Sequence, residues 1–168
     1  MDPIDTAMLA ARLWAGIVMV AHGVNHGRNL AGTASWFARV GFRSPELNAR
    51  LSFLNEIAIG AGLIAGLLTS VAAAGLIATM TVAFWSIHRF AGFFVFHRPD
   101  EGYEYVATLA MLALVIAIVG PGSVSVDSLL DIDLSGGLGA AIAGLGVVAA
   151  AVQLAAFWRK PGKDSDER

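Results

Sequence analysis

His22, Asn25 and His26 stand three and four residues apart, a spacing that puts them on one face of a helix. Ser52, Asn55 and Glu56 repeat the interval, and Thr81, Phe84 and His88 line up similarly with Arg89 adjacent. Glu104 follows, with Thr108 one turn later. Imidazole and carboxylate groups so placed can carry a proton, hydrogen-bond a carbonyl, or ligate a metal. No Walker loop, dinucleotide fingerprint or nucleophile elbow accompanies them. Cysteine is absent, which removes disulfides, thiolate ligands and any dithiol relay within the chain. Sulfur chemistry would need a partner to supply the thiol.

These polar groups are embedded in grease. The chain has 168 residues, 57% of them hydrophobic and only 14% charged, with a mean hydropathy of +0.69. Soluble domains carry about 25% charged and about 45–50% apolar residues, so the expected solvent is lipid. A net charge of −2 without a continuous basic stripe argues against nucleic acid. The N-terminus, Met1-Asp2-Pro3-Ile4-Asp5, is acidic where a secretory signal is basic, and Arg12 interrupts the first apolar stretch. That stretch reads as a retained helix rather than a cleaved signal.

Five apolar segments can be cut at charges and turn residues: 7–28, 50–68, 71–96, 103–120 and 137–158. Each approaches the roughly 20 residues a helix needs to cross a bilayer core. Backbone groups cannot go unpaired in lipid, and barrel-like alternation is not visible, so an all-α bundle of five transmembrane helices is expected. Thr69-Ser70 leaves almost no loop, implying a tight hairpin between the second and third helices. Residues 30–48, with Trp36, Phe37, Arg39, Phe42 and Arg43, suit a segment in the headgroup region. Pro121-Gly122 ends the fourth helix ahead of an acidic loop with Asp127, Asp131 and Asp133, and the tail from Pro161 onward is charged.

With five crossings, Arg28, Arg39, Arg43, Arg50, Arg89, Arg98, Arg159, Lys160, Lys163 and Arg168 fall at one end, and Arg12 with the acidic loop at the other. Basic flanks face the cytoplasm, which sets the N-terminus outside and the C-terminus inside. Arg12 is expected to snorkel to the surface rather than pair with the loop acids. Small residues four apart (Gly23 and Gly27, Gly62 and Gly66, Ala140 and Gly144) suit close helix packing within the bundle.

Depth then selects the polar groups. His22 lies six residues before Arg28 and Glu56 six after Arg50, so each sits roughly 9 Å inside the basic flank. His88 falls at a similar level if the third helix runs on to His97-Arg98; Glu104 is shallower. Three readings compete. The groups satisfy one another in a structural layer. Alternatively, with Trp85, Phe84, Phe90, Phe93 and Phe94 as aromatic walls, they bind a small hydrophobic redox molecule such as a quinone. Or His22, His26, His88 and Glu56 hold a metal or haem. On the quinone reading, Glu56, His22 and His88 are the proton-handling groups, with His26, Asn25, Asn55, Trp85, Arg89 and Glu104 around the ligand.

The run Arg12-Leu13-Trp14-Ala15-Gly16 leading to Ala21-His22-Gly23 resembles the start of DoxX-like membrane proteins. Trp36-Phe37-Ala38-Arg39-Val40-Gly41 followed by Glu56, the Glu104-Tyr105 pair, and Gly120-Pro121-Gly122-Ser123-Val124-Ser125-Val126-Asp127 extend the resemblance over residues 7–130. It implies a four-helix membrane core over residues 1–130, from which the additional helix expected at 131–158 is a departure, with a charged cytoplasmic tail at 159–168 after it. It also implies a bacterial cytoplasmic membrane location and a redox-associated role, since the related DoxD subunit belongs to a thiosulfate:quinone oxidoreductase. A quinone near His22, Glu56 and His88, and a partner subunit docked on the fifth helix, follow as expectations.

Overall fold

The computed structural model describes residues 2–96 and 101–161. Within them the chain is all-helical. Seven α-helices run in order: α1 Pro3–Arg28, α2 Leu30–Val40, α3 Pro45–Ala65, α4 Thr69–Ser86, α5 Glu104–Val119, α6 Val126–Leu129 and α7 Gly136–Phe157, with a 3-10 turn at His88–Phe90. The five apolar segments correspond to α1, α3, α4, α5 and α7. By length and composition α1, α4 and α7 can each cross a bilayer, whereas α5 is apolar but only 16 residues long. The 21-residue α3 carries Glu46, Arg50 and Glu56. Trp14, Leu54, Met111, Leu145 and Val152, on α1, α3, α5 and α7, are each more than half exposed. Outward apolar side chains on four helices are costly in water and expected in lipid.

Local sequence explains the element ends. Asp2 caps α1 by accepting from the Ile4 amide at 2.9 Å, and Pro3 occupies the first turn, where its missing N–H is harmless. The link expected in the headgroup region contains the helix α2, capped by Asn29 and ended by Gly41 in the left-handed conformation. The expected continuation of α4 to Phe96 does not occur. The helix stops at Ser86, whose hydroxyl bonds back to the Val82 carbonyl. Beyond the 3-10 turn, the carbonyls of Gly92, Phe93 and Phe94 accept from the amides of Tyr103, Glu104 and Gly102. Those inter-segment bonds replace the helical ladder. His97 and Arg98, invoked to extend the helix, lie outside the described residues, as do Lys163, Arg168 and the rest of the tail beyond Pro161.

Hydrogen bonds between helix ends define an up-and-down bundle. At one end, Ser70 Oγ at the start of α4 donates to the carbonyls of Ala117, late in α5, and Leu134, just before α7. At the other end, His22 late in α1 meets Tyr105 early in α5. The core is filled by Met19, Leu63, Leu76, Leu109, Ile116 and their neighbours. On α1 and α3, Gly16 and Gly60 face each other so closely that a Cβ on either would lie under 3 Å from the other's carbonyl. Backbone approach of that kind is how helices associate in lipid. Gly23 and Gly27 likewise receive Ile57 and Phe53 of α3, whereas Ala140 and Gly144 turn outward from the bundle.

The additional helix is not a loose appendage. It packs chiefly on α4 and then on α5. Its end is tied to the α2–α3 link: Arg43 N–H donates to the Phe157 carbonyl (2.6 Å), Arg159 N–H to Gly41 (2.9 Å), and Trp158 Nε1 to Val40 (2.9 Å).

Arg12 does not snorkel. It is fully buried (0% exposed), with Nη1 donating to the Leu63 carbonyl at 3.0 Å and Nη2 to Val124 at 2.5 Å. The last carbonyls of α3 lack helical partners and carry the negative end of its dipole, so a buried guanidinium is favoured there. Beside it Asp127 caps α4 from outside the helix. Its two carboxylate oxygens accept from the amides of Leu68 (2.7 Å) and Thr69 (2.8 Å), while its own amide donates to Gly66. Gly66, at φ +66°, has Arg12 and Ser125 where a Cβ would stand. Asp127→Ala should therefore lower unfolding stability in detergent by about 3 kcal/mol, the range for losing bonds to a charged group. Asp131→Asn, in the same loop, should stay within about 0.5 kcal/mol. Equal stability of the two variants would refute the capping role.

Candidate functional site

His22 and His26 share a side of α1, yet they face different neighbours. His22 Nε2 lies 3.1 Å from the Tyr105 hydroxyl of α5, with the rings stacked at 6.0 Å. His26 faces α3, where Nδ1 is 3.1 Å from Glu56 Oε2 and 3.2 Å from Ser52 Oγ. Between them Gly23 lets α3 come close enough for the Glu56 Cβ to rest on the α1 backbone. Glu56 is 3% exposed. Its Oε1 accepts from Ser52 Oγ at 2.6 Å. A serine hydroxyl has one proton, so with that proton given to Glu56 its oxygen can only accept from His26. The geometry therefore assigns a proton to His26 Nδ1, shared between Ser52 and Glu56. Apart from this contact with His26, Glu56 Oε2 has no hydrogen-bond partner among the described residues. Trp36 and Phe37 of α2 lie against the His26 ring at 6.3 and 6.4 Å.

Glu56 also borders a groove of about 1080 Å³, walled by α3 and α7 and floored by α4. Its polar lining is confined to one end, where Asn48, Ser52, Asn55, Glu56, Thr79 and Gln153 gather. Asn55 Nδ2 donates to Thr79 Oγ1, and Gln153 Nε2 to Asn48 Oδ1, each at 3.4 Å. Toward the other end the walls are Ile59, Gly62, Val71, Gly75, Ile142 and Leu145.

The remaining expected site residues disperse. His88, freed from α4 by the break at Ser86, bonds through Nδ1 to the Glu101 carbonyl at 2.7 Å and does not join Glu56. Trp85 and Arg89 stack on each other at 4.0 Å, away from the groove lining. Glu104 accepts from the Val95 amide at 3.4 Å, and Asn25 is exposed. Among the described residues no three His, Asp or Glu side chains gather as a metal-ligand set; of the proposed donors only His26 and Glu56 touch. Tyr105, Thr79 and Gln153 were not anticipated. Gln153 had a readable signal, as the one polar side chain in an otherwise apolar α7.

A double-mutant cycle in detergent should show Glu56→Gln and His26→Ala coupled by about 1–3 kcal/mol, as for charged neighbours in one network. Glu56→Gln and His88→Ala should add to within about 0.5 kcal/mol. Additivity in the first pair would dissolve the proposed unit.

Residues 7–89, from α1 into the 3-10 turn, match the DoxX family. The Glu104-Tyr105 and Gly120–Asp127 motifs lie beyond that stretch. No curated protein and no solved structure matches the chain. Together with the apolar helices, the match makes this a multi-pass membrane protein that belongs, through residues 7–89, to the DoxX family.

Proposed function

We propose that the chain is a redox-associated membrane subunit that holds a quinone-like molecule in the groove between α3, α4 and α7. Its head would lie against Glu56, Ser52 and Asn55 and its tail along the apolar walls. The observation that carries this reading is the polarity gradient of the groove, polar only beside a buried carboxylate whose Oε2 has acceptor capacity left. An amphiphile with a hydrogen-bonding ring and a greasy tail matches that gradient. Glu56 and His26 form the proton-exchanging pair. His22 and Tyr105 stand on the α5 side of the same layer, at the end from which a proton would arrive. The chain offers no thiolate, so electrons pass to or from a partner subunit.

In this reading α1, α3, α4, α5 and α7 all cross the bilayer. Arg28, Arg39, Arg43, Arg50, Arg89, Arg159 and Lys160 belong to one end of the bundle, with Arg12 at the other. The basic excess supports an orientation with that end, and the head of the groove, at the inner face of a bacterial cytoplasmic membrane.

A structural role for the polar layer is favoured by one observation: Glu56 is already engaged by Ser52 and His26. Titrating a short-chain benzoquinone into nanodisc-embedded protein, with Trp36 fluorescence as readout, separates the two. The quinone reading expects Glu56→Gln and Ser52→Ala to weaken binding at least about tenfold, or 1.4 kcal/mol, and His88→Ala to leave it unchanged. Saturable binding that ignores Glu56→Gln and Ser52→Ala, with only thermal stability lowered, would leave the structural role standing.

A further inference from the structure

A second polar feature lies at the same end of the bundle but outside the groove. Arg89 sits in an aromatic box, its guanidinium carbon 4.0 Å from the Trp85 ring centre, 4.6 Å from Phe90 and 5.8 Å from Trp158. Lys160 Nζ approaches the other cation's ring partner, lying 5.4 Å from the Phe90 centre. The box is built from distant parts of the chain: the last turn of α4, the 3-10 turn and the residues just after α7. Trp158 is fixed by its indole bond to Val40. Arg89 Nε is buried and has no hydrogen-bond partner among the described residues.

Two cations brought to one aromatic ring repel each other, and aromatic faces offset only part of that cost. A guanidinium stacked on rings still presents its in-plane N–H edge, the fork that matches a phosphate or carboxylate. The surroundings say which anion. Trp85 and Phe90 are 44% and 54% exposed, and Phe93 and Phe94, a few residues further along the chain, are exposed too. Aromatic side chains of this kind belong at the headgroup boundary of a membrane. Arg28, Arg39, Arg43, Arg50 and Arg159 make the whole end basic, and the cytoplasmic leaflet is rich in anionic lipid.

We propose that Arg89 and Lys160, framed by Trp85, Phe90 and Trp158, form a binding site for the headgroup phosphate of an anionic phospholipid. Arg89 holds the phosphate through its free edge, Lys160 adds a second charge, and the exposed aromatics contact the upper acyl chains. The site uses no residue of the groove and stands or falls separately from the quinone reading.

The test compares the full chain in nanodiscs of phosphatidylcholine containing increasing phosphatidylglycerol, with retained lipid counted by native mass spectrometry. Wild type should retain phosphatidylglycerol saturably over phosphatidylcholine. Arg89→Gln should reduce that retention about tenfold, as expected for a charged, desolvated contact, and Lys160→Ala should reduce it less. Arg89→Lys should recover only part, because it keeps the charge and loses the fork. Arg39→Gln, on α2 at the same basic end, should leave retention within about twofold of wild type. Should Arg89→Gln fail to fold, Lys160→Ala against Arg39→Gln carries the comparison alone. Unchanged retention in both site variants, an equal loss in Arg39→Gln, or displacement of the lipid by millimolar inorganic phosphate would each overturn the proposal.

Discussion

Hydrocarbon supplies no hydrogen-bond partner, so every polar group carried into the bilayer must find one inside the protein. In this chain most of that demand is met in two layers, one near each end of the bundle, with Arg12 Nε, Thr69 Oγ1 and Glu56 Oε2 left without a hydrogen bond among the described residues. At the acidic-loop end, Arg12 and Asp127 satisfy the backbone groups left open where α3 stops and α4 starts. The α3–α4 turn is short and carries Leu68 in the left-handed region, which side chains other than glycine rarely adopt. It is tolerable because a carboxylate from α6 accepts the two amides that the turn exposes. The tight hairpin and the buried pair are thus one device.

The layer at the basic end is built differently. Its members are side chains meeting side chains, and it sits beside a groove rather than over a turn. Glu56 is held by a serine one turn earlier on its own helix and by a histidine from α1. Both holders leave the carboxylate buried, Ser52 on Oε1 and His26 facing Oε2. The two layers thus differ in construction, Asp127 being bonded through both oxygens to backbone amides and Glu56 being held by side chains.

Much of this was legible in the residues. Hydropathy locates α1, α3, α4, α5 and α7, of which α1, α4 and α7 are long and apolar enough to cross a bilayer, and the three- and four-residue intervals put Ser52 and Glu56 on a common face. What periodicity could not show was which neighbour each residue would meet. His22 and His26 lie on one side of α1 yet are divided between α5 and α3, because two helices pack against that side. His88 was aligned with Glu56 only by assuming that α4 runs on, and the inter-segment bonds around Gly92 ended the helix first. Arg12 was read by the general habit of long cations near a membrane surface. Its burial depends on a carbonyl of α3 and another of residue 124, partners separated from it by 51 and 112 positions. Local patterns cannot encode contacts of that range.

The DoxX match and the groove divide the chain unequally, and the division bears on what the family can tell about this protein. Residues 7–89 contain Asn48, Ser52, Asn55, Glu56 and Thr79, so the polar head of the groove on α3 and α4 lies within the matched stretch. The opposite wall is α7, with Ile142, Leu145 and Gln153, and it lies outside that stretch. The same helix returns to bond Gly41 and Arg43, closing the polar end of the groove beside Asn48. Removing α7 in thought would leave Glu56 beside an open face of α4, with no enclosed space for a ligand tail. The polar end of the groove is thus set mainly by helices inside the matched stretch, while its apolar length is set jointly with a wall outside that stretch.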